Sequence, residues 1–169
     1  ITVRWDKNFL SLMYLTLARR NTLAIYGGTR FGGTVTIEDA YDRYGFDHIA
    51  IASGAGKPTI VPMKNNLIRG IRKASDFLMG LQLTGAAKKT SLANLQIQLP
   101  AIVIGGGLTA IDTATEIAAY YPLQVEKILD RYELLTKETD EEVFLSRLDH
   151  EERHILKTFL DHGREVKIE

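Results

Sequence analysis

The residues with the clearest chemical implication are Gly105, Gly106, Gly107, Leu108, Thr109 and Ala110. Their spacing, glycine-x-glycine-x-x-alanine, is one form of the dinucleotide-binding fingerprint, in which each small residue has a physical task. Gly105 permits a tight turn, Gly107 leaves room for backbone N–H groups to approach a pyrophosphate, and Ala110 lets a helix lie close to the strand before it. A diphosphate would then sit at the helix N-terminus, where unpaired N–H groups and the positive end of the macrodipole favour an anion. The same pattern also serves without any ligand, as a packing device between strand and helix.

A second chemical pattern is His150-Glu151-Glu152-Arg153-His154, the H-E-x-x-H spacing that brings two histidines to one metal on a helix. Its neighbours Asp149, Glu152 and Arg153 are charged, as on a solvated, ion-paired helix face, and no third ligand follows at a recognised spacing. We therefore read it as helix surface and expect no metal. His48 alternates with apolar neighbours and reads as a structural histidine. No side chain in the chain reads as a convincing acid, base or nucleophile.

The elements that would position the glycines follow from hydrophobic patterning. Residues 101–104 form a short β-branched run before the glycines, and an alanine-rich helical pattern follows to residue 120. Upstream, residues 6–20 read as a helix, residues 22–26 and 46–52 as strands, and residues 36–44 as a short helix capped by Thr36 and stopped by Gly45. A further helix is expected from Ser75 to about Leu83, then a polar, loose stretch through Asn94. Beyond residue 120 a dinucleotide domain should show a second strand and an acid about 20 positions past the glycines. Glu126 and Asp130 fall at that distance, yet Val125, Ile128, Leu129 and Tyr132 repeat at helical spacing, with Pro122 as a first-turn proline. Residues 138–161 also read as helical, with residues 166–168 as a possible weak strand.

Composition narrows the classes. The chain has 169 residues, 45% hydrophobic and 25% charged, the balance of a globular protein. Its 21 basic and 21 acidic residues cancel, so no basic field draws nucleic acid or an anionic membrane. With no cysteine it has no disulfide, dithiol or cysteine-ligated cluster. It contains no apolar run of membrane-spanning length, and we expect a cytoplasmic protein. It begins at Ile1 and stops in a charged run, which reads as a fragment of a larger chain.

Three stretches in order resemble the pyridine-nucleotide-dependent flavin oxidoreductases of the pyridine nucleotide-disulfide superfamily, above all the glutamate synthase small-subunit type. They are FDHIAIASGAGKP at 46–58, the segments NLIRGI at 66–71 and ASDFL at 74–78, and VIGGGLTAIDTATE at 103–116. The resemblance implies hydride transfer from NAD(P)H to FAD and onward to an electron-acceptor subunit or domain. It implies that residues 105–110 cradle the nicotinamide dinucleotide and that Ser53 and Gly54 approach the flavin. Asp112 matches an acid of the family, and Leu108 stands where relatives commonly carry asparagine or aspartate.

The expectation is thus an α/β protein: a Rossmann-like three-layer parallel sheet with a helical extension. Residues 1–60 would end a FAD-binding domain, 61–99 form a crossover, and 100–169 begin an NAD(P)-binding domain. Its partners would be dinucleotide cofactors and the remainder of its own chain. The competing expectation is a non-redox nucleotide-binding or scaffold module that docks a partner through its C-terminal helices.

Overall fold

The computed structural model describes residues 8–53 and 57–168. It falls into two compact units, Ile1–Lys57 and Pro58–Glu169.

The second unit is built on one long helix. Here α1 denotes Phe9–Ala18, α2 Ala74–Leu83, α3 Leu108–Glu138, α4 Glu141–Ser146 and α5 His150–Ile168. The 31 residues of α3 extend about 46 Å at 1.5 Å per residue. Its alanines, leucines and glutamates favour helix, and its threonines turn their hydroxyls back onto the preceding turn. Thr113 donates to Thr109 O at 2.7 Å and Thr136 to Tyr132 O at 2.9 Å.

Pro122 lies inside α3 and does not start a new helix. What carries the helix through is burial on two sides of the adjacent tyrosines. Tyr120 joins Phe77, Leu78 and Leu81 of α2, with Ala86, in one apolar cluster. Tyr121 joins Val125 and Phe159 of α5 in another. An interior proline removes one backbone hydrogen bond and crowds the preceding turn. Pro122→Ala is therefore expected to raise stability by about 1–3 kcal/mol, read as a shift in the urea midpoint.

Contacts advance together along α3 and α5. Phe159 and His162 meet Tyr121, Gly163 meets Val125 and Leu129, and Lys167 reaches Asp130 and Glu133. The two helices therefore run in the same direction where they touch, and α4 lies in the connection that brings the chain back. Asp140 caps α4 by accepting the Glu142 N–H at 2.8 Å. A reciprocal pair starts α5: Glu152 accepts the Asp149 N–H at 2.9 Å and Asp149 accepts the Glu152 N–H at 2.8 Å, the capping-box arrangement.

In the first unit, α1 is followed by irregular chain and one π turn, Asp39–Arg43. Thr36 and Asp39 cap that turn reciprocally at 3.1 Å, and Gly45, at φ 68°, ends it.

These elements correct the expected fold class. Among the described residues there is no strand, and the pairing present is an isolated bridge between Phe31 and Val35. The protein is all-α, not a Rossmann-like parallel sheet. The runs at 46–52 and 101–104 have the β-branched composition of strands but no neighbour to supply a ladder, and a strand exists only with its partner. Ile102 and Ile104 stay 86% and 67% exposed, outside any layer. Residues 166–168, a possible strand by pattern, belong to α5.

Candidate functional site

The fingerprint residues form the entry to α3. Gly105 has φ 146°, a backbone region L side chains rarely adopt, and a Cβ there would lie 3.2 Å from the Cβ of Ala110. Both features that make Gly105 and Ala110 small are thus present: an unusual turn and a close approach. Gly107 is different. It is the N-cap residue of α3, with φ −88° and ψ 176°, and a Cβ on it would meet nothing within 4 Å. Gly106 is equally open.

The Gly107 carbonyl accepts the N–H groups of Ala110 at 3.0 Å and Ile111 at 3.2 Å. No side chain caps this end and no acid lies in the first turn. By helix geometry the N–H groups of Leu108 and Thr109 have no partner within α3. Leu108 and Thr109 are exposed and Ala110 half-buried. Asp112 sits one turn further on and is buried.

The other candidates lie elsewhere. Ser53 is exposed in the first unit, and Gly54 is outside the described residues. His48 is exposed in irregular chain. Glu126 and Asp130, at the ribose-binding distance by count, are on α3, where they pair with Lys89 at 2.7 Å and Lys167 at 2.8 Å. The hydrogen bond and charge of Glu126 hold the Lys89 pKa above its ordinary value.

In the H-E-x-x-H stretch, Glu151 pairs with Arg69 at 3.0 Å and Glu152 is engaged in the cap of α5. Among the described residues no group of three or more histidine, aspartate or glutamate side chains is placed to hold a metal ion. His154 lines a small cleft with Gln98, Leu99 and Phe159, of about 80 Å³. That is far below the roughly 300–1,000 Å³ of a small-molecule site.

Sequence reasoning missed a polar seam on α3. Tyr120 accepts the Leu95 N–H at 3.2 Å, and Gln124 pairs with both main-chain groups of Ile97, at 2.8 and 2.9 Å. Lys127 donates to Ala86 O at 2.6 Å and Ala93 O at 2.8 Å, and Arg131 donates to Ser91 O. The stretch through Asn94, loose by composition, is therefore pinned to α3 by its main chain. The legible signal was the spacing of the four polar residues, 0, 4, 7 and 11 along the helix, which is a single face. Burial pushes the Tyr120 hydroxyl pKa up and the Lys127 ammonium pKa down, with Arg131 adding to the latter.

No protein-family model matches the chain, and no solved structure matches it. Uncharacterized protein RP006 of Rickettsia prowazekii (strain Madrid E) is 41% identical over 167 residues, covering 99% of this chain and 22% of that protein. The chain thus spans about a fifth of the length of this curated relative. These findings correct the resemblance to flavin oxidoreductases. Among the described residues the chain is helical without a sheet, and its relative is uncharacterized, so the resemblance and the terms Rossmann, oxidoreductase, flavoprotein, FAD and glutamate synthase-like find no support. Among the described residues, no helix is long and apolar enough to cross a membrane.

Proposed function

We propose that the chain is a non-redox nucleotide-binding module within a longer protein, taking the diphosphate of a nicotinamide dinucleotide, NAD(P)H, at residues 105–110. The contrast between two glycines carries this reading. Gly105 is required by the chain itself, through its backbone angle and its approach to Ala110. Among the described residues none comes within 4 Å of a Cβ at Gly107, yet it stands where the fingerprint leaves room for phosphate, at a helix head without a side-chain cap. Backbone N–H groups of Leu108 and Thr109 would hold the anion there. Docking of a partner through the C-terminal helices gains less. The exposed face of α5 is charged, with Glu151, Arg153, Lys157 and Asp161, while Phe159 and Leu160 are buried.

The test separates ligand from fold. Calorimetric titration of the full natural chain with NADH, NADPH and ADP should detect binding. Gly107→Glu should lower affinity by at least about tenfold, or about 1.4 kcal/mol, because it sets a carboxylate at the phosphate position. Its thermal midpoint should stay unchanged, since the site is open and its φ ordinary. Gly105→Ala should instead lower the thermal midpoint by forcing a side chain into a strained φ and against Ala110. Absence of binding, or full affinity in Gly107→Glu, overturns the proposal.

A further inference from the structure

The charges of the chain cancel in total but are unevenly spread. Between Asp47 and Asp76 there are five lysines and arginines and no acid, whereas 15 of the 21 acids follow residue 111. Within that basic stretch, residues 64–73 read KNNLIRGIRK and form two successive turns ahead of α2. The Ile68 N–H donates to Asn65 O at 3.1 Å and the Ile71 N–H to Ile68 O at 3.3 Å, with Asn65 at φ 63° and Gly70 at φ 96°. Turns this tight enclose no space, and their apolar side chains stand outside. Leu67 is 94% exposed, the highest of the large apolar side chains among the described residues, and Ile68 and Ile71 are 58% and 42% exposed. Around them Lys64, Arg69, Arg72 and Lys73 are all exposed. Glu151 of α5 meets Arg69 at 3.0 Å and Asp76 meets Lys73 at 3.2 Å, yet both cations keep much of their surface in water.

We propose that this loop docks on an anionic phospholipid bilayer, with Leu67, Ile68 and Ile71 entering the headgroup boundary and the four cations meeting lipid phosphates. The inference is independent of the nucleotide reading. Charge selects the sign of the partner, because each lysine or arginine near an anionic leaflet strengthens attachment, a gain that fades with salt. The apolar residues select its phase. Nucleic acid would engage the cations, but its bases stack on aromatic rings, and residues 64–73 hold none. The core of a protein interface likewise favours aromatic anchors fitted into matching pockets. Three aliphatic side chains on a protruding turn suit a fluid phase, which needs no matching shape, and an apolar and a basic signal together anchor better than either alone. The contact is peripheral, since no helix among the described residues is long and apolar enough to cross a membrane.

The experiment floats the full natural protein on vesicles of phosphatidylcholine alone and of phosphatidylcholine with an equal part of phosphatidylglycerol. Binding is expected on the anionic vesicles, weakening as salt is added, and not on the neutral ones. Leu67→Ser should lower the partition coefficient by about tenfold or more, because it removes the transfer of a leucine side chain from water to lipid. Lys64→Gln combined with Arg72→Gln should lower it by about tenfold or more at low salt, and by less at high salt. Thermal midpoints should match the wild type, since these side chains are exposed. Absence of binding, equal binding to both vesicles, or full binding by either variant overturns the proposal. Full binding by Leu67→Ser with loss in the charge variant would assign the loop to an acidic protein or a nucleic acid instead. Hydrogen exchange of the unmodified protein guards against a misfolded variant. The amides of residues 64–73 should slow on the anionic vesicles, and unchanged exchange there overturns the docking.

Discussion

Replacing Gly163 by leucine is expected to part α5 from α3 and to destabilise the second unit by about 3 kcal/mol or more. A Cβ at Gly163 would stand 2.8 Å from the carbonyl oxygen of Val125 and 3.1 Å from the Cβ of Leu129. The first of these is backbone within a helix, so it cannot swing aside as a side chain can. Gly163 is buried well inside α5, where glycine costs about 1 kcal/mol relative to alanine by propensity alone. On an exposed face, Gly163→Ala would therefore stabilise. Here the clash, about 1–3 kcal/mol for an overpacked core, opposes that gain, and Gly163→Ala should lower stability by roughly 1 kcal/mol. Leucine adds three further carbons beyond a Cβ that already stands too close to α3. Urea denaturation followed by helical ellipticity gives both values. A stabilising Gly163→Ala would show that the helices do not approach this closely.

Gly163 also illustrates what the sequence left hidden. A glycine among HILKTFLDHGREVKI reads as a helix weakness, because its reason lies on another helix 34–38 positions away in the chain, at Leu129 and Val125. The helices themselves were legible wherever apolar residues recur every three or four positions, as at Val125, Ile128, Leu129 and Tyr132, or where caps are local, as at Thr36 and Asp39. Pairing was not legible. The run at 101–104 has the composition of a buried strand, but composition does not supply the neighbour, and the chain there stays unpaired. Pro122 misled in the same way. By local rule it begins a helix, yet Tyr120 and Tyr121 anchor the segment to α2 and α5 on either side and hold one helix through it. At the candidate site, the glycine turn was readable because its causes are local to residues 105–110. The seam on α3 was not, since its partners are main-chain groups that carry no residue signature.

That seam contains the second large expected effect. Lys127→Met should destabilise the second unit by about 2–4 kcal/mol and free the chain around residues 86–93. Lys127 is 4% exposed, and its ammonium faces the carbonyls of Ala86 and Ala93 at hydrogen-bond distance, with Ser91 O at 3.4 Å. Methionine is an unbranched side chain one atom shorter and removes the cost of burying a charge, which favours the variant. It also leaves the buried Ala86 carbonyl and the half-buried Ala93 carbonyl without this donor, at about 1–3 kcal/mol for the first and less for the second, and that loss is the larger. Arg131 still holds Ser91 O, so the chain should loosen first at Ala86 and Ala93, as faster amide exchange there. The pH dependence gives a second reading. Burial and the nearby Arg131 charge lower the Lys127 pKa in the folded state, against the pull of the carbonyls. The folded state therefore binds the proton less tightly than the unfolded chain. The stability that this shift contributes is fully present above the ordinary value of 10.5 and is lost as pH falls through the lowered folded pKa. The wild type should accordingly gain on Lys127→Met as pH rises toward 10.5, with urea midpoints compared at each pH. The opposite slope would mean that the three carbonyl oxygens, rather than burial, set the charge of this lysine.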